Sequence, residues 1–201
     1  QSIQILPYQI NPPQVTEMKA ANQPCSRVEA LTEVISVELI PLIARLLFGF
    51  TLLTFFWKSA LTKLGDGLTG FWIPSAGAYA QIFPFKFESV GYDTSAMNLF
   101  DWTVVFLGTY AEFMLPALIV IGLMTRLSAL GMIIFIIVMS IVDLTGHGVQ
   151  LGSLLDGNPS DLIPDQRLFW IFPLLVILFQ GAGRFSLDHL CLSRKKKKEK
   201  R

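Results

Sequence analysis

Two apolar runs separated by only two residues constrain this chain more than any other feature. From Trp102 to Met124 it reads WTVVFLGTYAEFMLPALIVIGLM, 23 residues in which Glu112 is the only charge. After Thr125 and Arg126, the run LSALGMIIFIIVMSIVDL continues from Leu127 to Leu144. Each run is close to the about 20 residues a membrane-spanning helix needs, and so short a turn makes the two helices antiparallel neighbours. Pro116 is tolerable because proline is commoner in such helices. A third run, LIPLIARLLFGFTLLTFFW from Leu39 to Trp57, carries only Arg45. A fourth, Leu168 to Gly183, is short at 16 residues, so Arg167 and Arg184 are expected to snorkel from its ends to the headgroups. Composition agrees, with 52% hydrophobic and 15% charged residues where a soluble domain carries about 25% charged. The expected fold is all-α: an integral membrane four-helix bundle with an aromatic-rich extracytoplasmic loop between helices 1 and 2.

The basic residues orient this bundle. With both termini cytoplasmic, the inner side holds Lys19, Arg27, Arg126, Arg184 and seven bases of the tail RKKKKEKR, eleven in all, against four outside: Lys58, Lys63, Lys86 and Arg167. Lys and Arg accumulate on the cytoplasmic side, so both termini are expected inside. Residues 1–38 read as a cytoplasmic arm, 39–190 as the membrane domain and 191–201 as a basic tail. Within the arm, residues 1–26 lack a basic region followed by an apolar stretch and so do not read as a signal peptide. Val28, Leu31, Ile35 and Leu39 recur near helical spacing, which fits either an interfacial helix or an early start of the first span. The tail is a positive-inside anchor or a contact for anionic lipid. The connection Leu64 to Asp101, with GFWIPSAGAYAQIFPFKF at its centre, is read as a long loop lying as a lid on the outer surface.

Charges inside the spans carry the functional expectation. Glu112 lies near the middle of its run, where a carboxylate costs on the order of 3 kcal/mol unless neutral or paired. Arg45 and Lys63 are 18 residues apart, about five helical turns, so both point to one side of a continuous helix together with Gly49, Leu52, Phe56 and Ser59. One acid facing two bases is either a polar seat for a ligand or an ion pair that fixes packing. Asp143 and His147, at i and i+4, are either the start of a metal site or solvated rim residues.

Other chemistry has no foothold. Cys25 and Cys191 form no CxxC, and the only two histidines, His147 and His189, fall on opposite surfaces and do not jointly clamp a haem. The sequence has no GxGxxG, Walker, HExxH or GxSxG motif. No intrinsic cofactor, metal or nucleic-acid partner is expected.

Several segments together resemble the DoxX family of small bacterial membrane proteins. They are ARLLFG, FFWKSALTKL, TYAEFMLPALIVIGLMTRLSAL and GAGRFSLD, spanning about Ala44 to Asp188. The resemblance implies a four-helix bundle and maps recurrent polar positions onto Arg45, Lys63, Glu112, Arg126, Ser186 and Asp188. The chain departs from the family in its proline-containing arm, its basic tail and its GAG where GPG is common. Members are associated with thiosulfate:quinone oxidoreductase and other membrane redox assemblies. Two functions are therefore expected as alternatives. One is a membrane subunit of a quinone-linked redox complex, with Glu112, Arg45 and Lys63 around a quinone or small anion and Arg126 as a further cofactor contact. The other is an accessory subunit that docks to a larger membrane complex, or to copies of itself, without activity of its own.

Overall fold

The computed structural model describes residues 29, 32–33, 35–149 and 164–191. Most of the arm and the basic tail lie outside them. Among the described residues the architecture is helical, with no strand and a single isolated bridge between Leu64 and Pro74. The long elements are α1 (Ile35–Lys63), α4 (Leu99–Ile121), α5 (Thr125–Gly146) and α6 (Pro164–Gln180), and the short helices α2 (Ala76–Ile82) and α3 (Pro84–Ser89) lie between α1 and α4.

Helices α1, α4 and α5 are long and apolar enough to cross a membrane, whereas α6 is shorter. Their outward faces are unlike those of a water-soluble bundle. Phe50, Leu107, Ile134 and Phe172 all stand more than half exposed, and contiguous apolar surface of this extent suits lipid rather than water. The inward faces form one core: Phe48, Leu52 and Phe56 from α1, Ile119 from α4, Ala129, Met132 and Ile136 from α5, and Leu174 and Ile177 from α6. Helix α6 packs on α5 and on the first half of α1, and α4 packs on α5 and on the second half of α1, which closes the ring.

Helix α1 runs beyond the Leu39–Trp57 expected from hydropathy, to Lys63, and contains two wide π-turns, Ile35–Leu39 and Gly49–Leu53. The first continues directly into the span, so over 35–39 the chain takes the early-start reading. Helix α6 ends at Gln180, before the Gly183 expected, because Gly181 and Gly183 adopt left-handed φ of 86° and 70° that a helix cannot continue. Gly122, at φ 73°, closes α4 with its amide on the carbonyls of Leu118 and Ile119, and Met124 at φ 48° completes the sharp turn into α5.

The connection after α1 is ordered helix rather than an irregular lid. Ser75 caps α2 by accepting from the Ala78 amide, and Pro84 starts α3. Ala78, Tyr79 and Phe87 bury against Val105 of α4 in a second, smaller core. Asn98 and Asp101 form a reciprocal capping box at the start of α4, and Lys86 of α3 reaches the same Asp101 carboxylate at 2.7 Å. Asp101, at the end of the connection read from the sequence as a surface loop, is thus 1% exposed.

Candidate functional site

The buried stripe of α1 includes Arg45, Phe48, Leu52, Phe56, Ala60 and Lys63, so the two bases do share one side of the helix. They do not share a partner. A helical Cα–Cβ bond leans toward the helix N-terminus, and Lys63 follows it: its ammonium curls back one turn onto Ser59. There Nζ donates to Ser59 Oγ at 2.7 Å, to Ser59 O at 3.3 Å and to Glu112 Oε2 at 2.9 Å. Both charged side chains are 4% exposed or less. The acid near the middle of α4 is therefore paired.

Arg45 is elsewhere, and the expectation that it and Lys63 flank one acid is corrected. Separated from Lys63 by roughly 27 Å of helix axis, it meets the other end of α4. Its Nε donates to Ile119 O at 3.0 Å and Nη2 to Val120 O at 2.7 Å, while Nη1 donates to Ala182 O at 2.9 Å and Phe185 O at 2.7 Å. Last-turn carbonyls have few intrahelical partners and carry the negative end of the helix dipole, so a five-donor planar cation fits them better than a carboxylate would. The GAGRFSLD segment completes this end. Asp188 accepts from the Met124 and Thr125 amides at 2.8 and 2.9 Å and from Thr125 Oγ1 at 2.7 Å, capping α5 from a distance, and its own amide donates to Gly122 O. Burial acts to raise the Asp188 pKa, but the bonds from Thr125 and Met124 and the nearby Arg45 charge hold it below the ordinary carboxylate value. Ser186 accepts from the His189 amide and donates to Gly183 O. Arg126 is exposed and donates to Phe179 O at 3.2 Å, away from Glu112 and Lys63.

The Lys63–Glu112 pair forms part of the wall of a cavity of about 350 Å³ between α1, α4 and α5. Phe55, Leu115, Ile134, Phe135, Val138 and Met139 supply apolar wall, and Gly108 and Gly131 leave room for it. A second ion pair lines the same space. Arg167, at the start of α6, donates from Nη2 to Asp143 Oδ2 at 2.5 Å and from Nη1 to Ser140 Oγ at 3.0 Å, and lies 6.0 Å from the centre of the Trp170 ring. Arg167 was expected to reach outward to headgroups and instead turns inward, because an acid on the antiparallel neighbour is within reach. Arg184 was assigned the same role and pairs with Glu38 Oε1 at 2.7 Å. With Asp143 engaged by Arg167, His147 contacts Gln81 O through Nε2 at 3.0 Å. Among the described residues no three His, Cys, Asp or Glu side chains are grouped to hold a metal.

Of the sequence-derived candidates, then, Glu112 and Lys63 come together, while Arg45 and Arg126 lie apart from them. The Asp143–Arg167 pair was not anticipated. A usable signal existed, since two opposite charges flanking consecutive antiparallel helices fall at one end of the bundle. No family model, curated protein or solved structure matches the chain.

Proposed function

We propose that this chain is a DoxX-like subunit of a quinone-linked redox complex in a bacterial inner membrane, and that the cavity beside Lys63 and Glu112 receives the quinone headgroup. In this reading α6 is a fourth span and both termini are cytoplasmic. The observation that carries the proposal is an apolar cavity between three long apolar helices, walled by the buried Lys63–Glu112 pair and the partly exposed Arg167–Asp143 pair. Its volume is at the lower end of the about 300–1,000 Å³ typical of small-molecule sites, enough for a ring but not for a long isoprenoid tail.

The residues fit such a group by their chemistry. Glu112 and Asp143 carry carboxylate oxygens that accept from hydroxyls, and Lys63 and Arg167 set the positive charge beside them. A quinone supplies two-electron, two-proton redox chemistry when bound, with electrons delivered by a partner subunit. Lys63 and Glu112 orient the headgroup and offer a place to hold a proton, while Phe55, Phe135 and Met139 exclude water. Arg45 takes no part in this chemistry and anchors the far end of the bundle.

The test is extraction of the purified, detergent-solubilised chain with organic solvent, followed by titration with a short-chain quinone. Near-stoichiometric retained quinone, or saturable binding weakened in Glu112→Gln, is the expected result. Neither retained nor saturably bound quinone would overturn the reading. A second reading, an accessory subunit with structural ion pairs, is favoured by one observation: all three Lys63 ammonium donors are already satisfied within the protein. It predicts that Glu112→Gln changes stability and leaves quinone titration flat throughout.

A further inference from the structure

The connection between α1 and α4 holds three consecutive large apolar residues in the open: Phe71, Trp72 and Ile73 are 55%, 68% and 60% exposed. They do not ride on a loose loop. The Gly65 amide donates to Gly70 O and Ile73 O, each at 3.1 Å, and the Ser75 amide donates to Lys63 O at 2.9 Å, while Leu64 bridges Pro74. The tip is therefore a closed turn springing directly from the end of α1, packed so tightly that a Cβ on Gly70 would collide with Gly65 O. Residues 68–85 include no charged side chain, so nothing in this stretch favours water over hydrocarbon.

The depth of the tip is fixed as well. Trp72 stacks on Phe106 with ring centres 6.1 Å and planes 11° apart, and Phe106 extends the stack to Trp102 at 5.0 Å. Tyr110 donates its hydroxyl to Phe71 O at 2.6 Å. Phe106 and Tyr110 lie four and eight residues inside the apolar run that begins at Trp102, roughly 6 and 12 Å along the helix axis. A turn held against them lies beside α4, below the level at which that run starts. Leu107, 60% exposed on α4, carries the apolar surface onward into the span. Tryptophan and tyrosine collect where headgroups meet acyl chains, and apolar faces sink about 5–10 Å into that boundary. Lys58, exposed on α1, has a four-carbon stem long enough to snorkel to the same layer.

From an uncharged, exposed and closed turn pinned inside the start of the α4 apolar run, we infer that Phe71, Trp72 and Ile73 insert into the adjoining phospholipid leaflet, which makes the α1–α4 connection an interfacial lipid anchor. The occupant of this face is the glycerol and upper acyl region of the bilayer, because the tip is held at that depth and is continuous with the lipid-facing side of α4. The inference is independent of the quinone reading and rests on α4 crossing the membrane.

The test uses the full chain with Cys25→Ser and Cys191→Ser, reconstituted in phosphatidylcholine and phosphatidylglycerol vesicles. A bimane fluorophore is attached at Ile73→Cys, at Leu107→Cys as the reference within the span, or at Glu88→Cys as an exposed charged position on the same connection. Each is quenched by lipid brominated near the top of its acyl chains and, separately, by aqueous iodide. The expected result is loss of fluorescence at Ile73 and Leu107 with brominated lipid and little with iodide, and the reverse at Glu88. If Ile73→Cys loses its helical circular dichroism, the intrinsic tryptophan fluorescence carries the comparison: the part quenched by brominated lipid should fall in Trp72→Phe, which keeps an aromatic ring on Phe106. Quenching at Ile73 by iodide alone makes the connection a lid in water and overturns the inference. Quenching by neither agent means that protein, such as a second copy of this chain, covers the tip, and also overturns it. A Leu107 label untouched by brominated lipid overturns the membrane placement of α4 and the inference with it.

Discussion

Removing one member of the Lys63–Glu112 pair leaves the other as an uncompensated charge among apolar helices, which costs about 3–5 kcal/mol in buried pairs generally. Lys63→Met is therefore expected to lower the thermal unfolding midpoint in detergent strongly. Adding Glu112→Leu should restore most of the loss, since the two side chains meet at 2.9 Å and are 4% exposed or less. A double-mutant cycle read by circular dichroism checks this, and additive effects would show that the pair is not coupled. The same pair illustrates what a sequence displays at residue scale. Glu112 stood out because a lone carboxylate in the middle of an apolar run must be paired, and 18-residue spacing placed Lys63 on the right side of α1. Which of two bases it takes depends on where a flexible side chain bends, and on the carbonyls of Ile119, Val120, Ala182 and Phe185 that hold Arg45 away.

The turn between α4 and α5 is held by a residue more than sixty positions later. Asp188 supplies the N-terminal cap that Met124, left-handed and without a side-chain cap of its own, does not give to α5. Because its pKa in the folded chain is held below the unfolded carboxylate value of about 3.9, the ionised cap contributes stability above that pH. That contribution is lost as pH falls through the lower folded value. Thermal midpoints from about pH 3 to pH 7 should therefore show Asp188→Ala less stable than the parent near neutrality, by about 1 kcal/mol as for other lost caps, with the difference shrinking in acid. A constant difference across the range would remove the charged cap from the account. Gly122 belongs to the same element, since a Cβ there would approach both the Arg45 guanidinium and Ser186 at about 2.7 Å.

At the scale of the whole molecule, the eleven-to-four distribution of basic residues predicts that both termini lie inside. Cys191 is exposed at the end of the described chain and Cys25 is the only other cysteine, so a Cys25→Ser variant carries a single reporter. Labelling of Cys191 in spheroplasts by a membrane-impermeant maleimide is expected only after permeabilisation. Labelling of intact spheroplasts would invert the arrangement.

The amino-acid sequence by itself determined that the chain builds long apolar helices, where the α4–α5 turn falls, and that Glu112 needs a partner. These follow from local quantities: run length, hydropathy and the cost of one charge at one depth. The aromatic connection was legible only as ordered, because Ser75 and Pro84 mark short helices that a hydropathy reading passes over. Tertiary structure alone decided the partners. Arg167 meets Asp143, Asp188 meets the start of α5, and Arg45 binds carbonyls at the end of α4 and just after α6, all through contacts between residues 24 or more positions apart. Helix packing brings those groups within 3 Å of one another, and neither periodicity nor composition encodes which side chain on a shared face reaches farthest.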